Sequence, residues 1–120
     1  MHAGTSSGPR GLFLIDTGAL RTLVALEYAA DVPGAKLGSP ASVRGYGGKL
    51  QSARGVRGIR LGFQGAAAPA DGLAAADLKL QSRLSGVEVS GFLGLDMLSG
   101  TRVVINTHAR RVRLVPARSP

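Results

Sequence analysis

The sequence predicts an all-β domain, and three observations carry that expectation. Short apolar runs are separated by turn-forming residues, glycine is abundant at 18 while aromatic residues number five, and the C-terminal third holds two alternating segments joined by a turn. A core under such constraints is built from Leu, Val, Ile and Ala rather than from large rings.

Taken in order, Leu12-Phe13-Leu14-Ile15 is a continuous apolar run between Gly11 and Asp16, the pattern of a short strand covered on both faces. Thr22-Leu23-Val24 reads as a second short strand, and Leu26-Glu27-Tyr28-Ala29-Ala30 as a helical turn ended by Pro33-Gly34. Between Ala41 and Gly62, apolar residues alternate with Gly, Arg and Ser, as in exposed antiparallel hairpins, with Gly45-Tyr46-Gly47-Gly48 at a hairpin tip. Residues 65–72 read as a loop, and Leu73-Ala74-Ala75-Ala76-Asp77-Leu78 has helix-forming composition but little length.

Further on, Val87-Glu88-Val89 alternates like a strand, and Phe92-Leu93 leads into a short helix over Gly94-Leu95-Asp96-Met97-Leu98 that Gly100 ends. Val103-Val104-Ile105 and Val112-Arg113-Leu114-Val115 read as a closing hairpin turned by Asn106-Thr107-His108-Ala109. Met1 to Ser7 is polar and reads as a disordered start, which leaves one domain over residues 8–120 with no repeat or linker to divide it.

At 120 residues, with 44% hydrophobic and 18% charged residues, the chain is sized and balanced for one globular core. No cysteine is present, which removes disulfides and thiolate chemistry and leaves the compartment open. No apolar run approaches the roughly 20 residues that cross a bilayer, and the first residues lack the apolar stretch of a signal peptide. Membrane partners are therefore not expected. The net charge of +8 raises nucleic-acid binding, but the clustering is poor: Arg54, Arg57 and Arg60 are spaced in a Gly-rich segment, Arg110, Arg111, Arg113 and Arg118 sit near the C-terminus, and no aromatics interleave with either group. A solvated basic surface is the favoured expectation, and a basic nucleic-acid-associated β domain the alternative.

One tripeptide carries chemistry. Asp16-Thr17-Gly18, followed by Ala19, stands at the end of an apolar strand. By itself it is equally the composition of a turn, in which an Asp bonds its own backbone two residues on. His2 and His108 have no cysteine or spaced carboxylate with which to form a metal site or triad, and neither metal nor cofactor is expected. Asp96 is expected to cap or flank the short helix, and Asp71, Asp77 and Glu88 to be solvated.

The apolar strand, Asp16-Thr17-Gly18-Ala19 and the downstream Phe92-Leu93-Gly94 together resemble the retropepsin-like, retroviral-type aspartic proteases, from about Gly8 to Val115. The resemblance implies a single-domain acid protease barrel in which the strand before Asp16 and the Phe92-Leu93 pair cross in a psi-shaped arrangement. It implies a flap hairpin tipped by Gly45-Tyr46-Gly47-Gly48 and one short helix near the C-terminus. Catalysis then falls to Asp16, with Thr17 holding two loops together and the Gly18 amide close to the carboxylate. Ala19, Tyr46, Gly47 and Gly48 line the substrate.

A second Asp-Thr-Gly loop is missing from the chain, so a homodimer is implied, acting as an endopeptidase on a peptide or protein substrate. A non-catalytic dimerisation or peptide-binding module of the same fold is the alternative. Asn106 stands where bacterial single-domain relatives often carry Asp, and Asn serves a turn equally well.

Overall fold

Strands with buried apolar residues sit in the middle of the sheet, and the mostly exposed strand Lys36–Pro40 stands at one edge. The computed structural model describes residues 2–4, 10–16, 18–40, 44–45, 48–49, 53–63, 66–67, 73–99 and 101–116. In chain order the elements are β1 (His2–Gly4), β2 (Arg10–Ile15), β3 (Leu23–Ala25), α1 (Leu26–Ala30), β4 (Lys36–Pro40), β5 (Arg44–Gly45), β6 (Gly48–Lys49) and β7 (Arg54–Arg57). They continue as β8 (Gly62–Phe63), β9 (Ala66–Ala67), β10 (Ala74–Ala76), α2 (Lys79–Ser85), β11 (Gly91–Leu93), α3 (Leu95–Leu98), β12 (Thr101–Asn106) and β13 (Arg111–Pro116).

The architecture is mostly β. Nine strands pair in the order β4-β7-β10-β3-β11-β2-β1-β8-β9, and β5–β6 and β12–β13 form separate two-stranded ribbons. The order ends at β4 and β9, so where the sequence led to a barrel the described strands form an open sheet.

The centre of the sheet is the part that positions the site. β11 lies between β2 and β3, parallel to β2 with Phe92 opposite Leu14 and Leu93 opposite Ile15, and antiparallel to β3 with Gly91 opposite Val24. Two strands linked by one loop, with a third strand inserted between them, make a psi-shaped crossing. β10 then joins β3 in parallel, Ala75 opposite Val24. The fully buried side chains of Phe13, Val24, Leu61, Ile59 and Leu93 fill the core beneath these strands, and the Phe13 and Tyr28 rings meet edge to face at 5.4 Å.

Gly91 is dictated by this crossing. A Cβ there would collide with the Leu23 carbonyl and the Phe13 ring, so only glycine lets β11 pass between its neighbours.

Several sequence expectations change. Ala74-Ala75-Ala76, helical in composition but short, forms β10: all three residues are buried and the strand pairs with β3 and β7, so tertiary packing overrides helix propensity. Helix α2 follows it, over residues with no helical expectation. The Asp77 carboxylate accepts the Lys79 N–H at its start, and Gly86, at φ 75°, closes its end.

The strand expected at Val87-Glu88-Val89 begins later, at Gly91, because pairing with β2 and β3 and not local alternation sets its register. Ala66–Ala67 is the short strand β9 within the expected loop. At the start, residues 2–4 form a strand antiparallel to β2, Ala3 opposite Gly11, in place of the expected disorder.

Other expectations match. α1 covers Leu26–Ala30 with Tyr28 and Ala29 buried, α3 follows Gly94, and β12 and β13 form the closing hairpin. In its turn the Ala109 N–H donates to Asn106 Oδ1 at 3.0 Å, so Asn106 shapes the turn as expected. No helix of the described residues is long and apolar enough to cross a membrane.

Candidate active site

Asp16 stands where β2 ends and the chain turns toward β3. Its backbone N–H donates to the Leu93 carbonyl at 2.9 Å, which extends the β2–β11 ladder by one bond and seats the residue against the inserted strand. Its side chain turns back over the loop: the Gly18 N–H donates to Asp16 Oδ1 at 3.0 Å, and the Ala19 N–H donates to the Asp16 carbonyl at 3.2 Å. The Asp16 side chain is half-buried and Gly18 is exposed, so the carboxylate is held in place while open on one side.

The loop is clamped from below by the start of α3. The Leu95 N–H donates to the Ala19 carbonyl at 2.8 Å and the Asp96 N–H to the Leu20 carbonyl at 3.1 Å, so the first turn of the helix spends its free donors on the loop. Asp96 reaches further. Its Oδ1 accepts both the Thr22 N–H at 2.9 Å and the Thr22 hydroxyl at 2.6 Å, while Thr22 Oγ1 accepts the Gly94 N–H at 3.0 Å. Thr22 is fully buried, and this cycle satisfies its hydroxyl as both donor and acceptor.

Gly94 lies so close to the loop that a Cβ would come 2.6 Å from the Arg21 carbonyl carbon and 3.0 Å from the Ala19 oxygen. The glycine lets helix and loop meet backbone to backbone.

Of the residues singled out by the sequence, Asp16, Gly18 and Ala19 are therefore brought together in one braced turn. Thr17, Tyr46 and Gly47 lie outside the described residues. Gly48 pairs with Gly45 in the antiparallel β5–β6 ribbon, and among the described residues no strand pairing joins that ribbon to the Asp16 loop. Asp77 and Glu88 are exposed, as expected, and Asp71 lies outside the described residues.

Thr22 and Asp96 were read as a strand start and a helix flank, and their partnership went unseen. Nothing local signals it, because 74 residues separate them. The available hint was the Thr that follows the Asp-bearing turn together with the Asp just beyond Gly94.

A hollow of about 610 Å³ lies elsewhere, between α1 and α2, and is lined by Leu26, Glu27, Leu78, Lys79, Arg83 and Val89 among others. Asp16 does not line it. Among the described residues, no three His, Cys, Asp or Glu side chains gather as a metal centre requires. Within one protomer, then, the arrangement amounts to a single rigidly held carboxylate at a surface turn. No family model, curated protein or solved structure matches the chain.

Proposed function

We propose that two copies of this chain pair to form an aspartic endopeptidase, each contributing Asp16 to a shared catalytic dyad. The observation that supports this most directly is the psi-shaped crossing, in which β11 passes between β2 and β3 and its Leu93 carbonyl anchors the Asp16 backbone.

The chemistry follows from pairing. Two carboxylates a few ångströms apart resist double ionisation and hold one proton between them. The ionised one takes a proton from water as its oxygen attacks the peptide carbonyl carbon, and the protonated one gives its proton to the carbonyl oxygen. Collapse of the tetrahedral adduct breaks the C–N bond as the amine leaves with a proton, and the dyad returns to its starting state. One chain holds one such loop, so a monomer is inactive and a two-fold axis beside Asp16 completes the site.

In this proposal the fold is a single-domain, retropepsin-like acid protease fold. Thr17 ties the two loops together, Gly18 supports the carboxylate, and the segment from Gly45 to Gly48 closes as a flap over an extended substrate whose alternate side chains meet Ala19 and Tyr46.

The test is cleavage of an unstructured protein from about pH 4 to about pH 7, comparing wild type with Asp16→Asn over a range of protein concentrations. Cleavage by wild type alone, rising faster than linearly with concentration, is the expected result. Equal cleavage by Asp16→Asn overturns the assignment, and a stable dimer that cleaves nothing moves it to a non-catalytic peptide-binding module.

A further inference from the structure

The closing hairpin gathers three arginines of the C-terminal segment onto one face. The register of β12 and β13 sets Arg102 opposite Val115, Val104 opposite Arg113 and Asn106 opposite Arg111. Residues directly opposite in an antiparallel pair project from the same face, and successive residues from opposite faces. Arg102, Arg111 and Arg113 therefore share a face with Val104 and Val115, while Val103, Leu114, Ile105 and Val112 share the other.

Leu114 is buried in the core and Val103 packs against it, so the arginine face is the outer one. All three arginines are exposed, and Arg110 stands exposed in the turn with a left-handed φ of 53°. Among the described residues none of the four is ion-paired with a carboxylate, whereas Lys79 pairs with Glu27 elsewhere. Residues 97–120 contain no Asp or Glu at all. A shallow hollow of about 440 Å³ runs along Arg111, Val112, Arg113 and Leu114.

We propose that the outer face of the β12–β13 hairpin docks on the phosphate backbone of a nucleic acid duplex. Guanidinium groups present a fork of donors that matches phosphate oxygens, and neutralising phosphates releases condensed counterions. A two-stranded ribbon is also of the size that the major groove of a duplex admits.

Other occupants fit less well. Single strands are held by stacking on aromatic side chains, and residues 101–116 contain no Phe, Tyr or Trp. A membrane surface calls for a broad apolar face to bury, whereas the outer face offers two valines set among arginines. The proposal involves neither Asp16 nor the pairing of two copies at that residue, so its fate is separate from that of the proteolytic assignment.

The experiment is a fluorescence anisotropy titration of the whole chain onto a short mixed-sequence DNA duplex, repeated between about 50 and about 200 mM salt. Three phosphate contacts account for a slope of about −2.7 in the logarithm of affinity against that of salt, or roughly 40-fold weaker binding across this range. The triple substitution Arg102→Gln, Arg111→Gln and Arg113→Gln removes that share of the slope. A charge-matched triple, Lys36→Gln, Arg57→Gln and Arg60→Gln, takes the same charge from exposed positions on and beside β4 and β7 and leaves the slope close to wild type.

Far-ultraviolet circular dichroism confirms that both variants fold. Equal losses in the two triples, or no duplex binding by wild type, overturns the proposal. Binding to vesicles of anionic lipid without binding to the duplex overturns it as well.

Discussion

The Thr22 hydroxyl donates to Asp96 Oδ1 at 2.6 Å and joins the loop that follows Asp16 to the first turn of α3. The distance is in the short range typical of a hydroxyl donating to a carboxylate. Because Thr22 is fully buried and also accepts the Gly94 N–H, removing its hydroxyl strips partners from both neighbours. Thr22→Val is expected to cost about 1–3 kcal/mol, the range for leaving buried polar groups unsatisfied. Urea unfolding measures this, and a loss within error of zero would show that the cycle does not brace the loop.

Gly94→Ala tests the close approach of helix and loop. The added methyl meets the Arg21 carbonyl carbon at 2.6 Å and the Ala19 oxygen at 3.0 Å, and backbone atoms cannot swing aside as a long side chain does. A destabilisation of about 1–3 kcal/mol or more is expected in urea unfolding and, under the proposed proteolytic function, loss of peptide cleavage as the Leu95–Ala19 bond is pushed apart. Unchanged cleavage at unchanged stability would count against a braced Asp16 loop as the catalytic element.

Asp16→Asn separates chemistry from folding. Asn keeps an oxygen able to accept the Gly18 N–H that Asp16 Oδ1 accepts at 3.0 Å, so the turn is retained. The thermal midpoint is expected to stay close to wild type, since the substitution creates neither a cavity nor an unpaired buried group. Under the proposed function cleavage falls below detection, and a large fall in the midpoint would show instead that Asp16 is a structural residue.

Tyr28 gives a pH dependence whose sign follows from its burial. Desolvation raises its phenol above the ordinary value of 10.0, because the charged form is disfavoured in the core. The unfolded chain therefore releases the proton at lower pH than the folded one. Below about pH 10 the group contributes no slope, and above it the folded state loses stability as pH rises toward the raised value. Urea midpoints measured from about pH 9 to about pH 11 are expected to fall more steeply for wild type than for Tyr28→Phe. Parallel curves would remove Tyr28 from the alkaline response.

Much of the local structure was legible because it is locally caused. The apolar run Leu12 to Ile15, the turn chemistry of Asp16 and Gly18, the closing hairpin with Asn106 in its turn, and the short helix after Gly94 all rest on residues a few positions apart. Local propensity misled where the neighbours are distant. Ala74-Ala75-Ala76 has the composition of a helix, yet it lies between β3 and β7, strands that come from elsewhere in the chain. Val87-Glu88-Val89 has the alternation of a strand, yet pairing with β2 starts only at Gly91.

By itself, then, the sequence determined a β-rich class, a turn that presents Asp16, and the glycines that allow close packing, since these depend on local sterics and on side-chain periodicity. Only the tertiary structure decided that β11 slips between β2 and β3, that Asp96 bonds Thr22, and that Arg102 lies on one face with Arg111 and Arg113. Those relations join residues from 9 to 78 positions apart. They are set by which strands bury one another's apolar faces, a property of the assembled core that no short stretch of chain encodes.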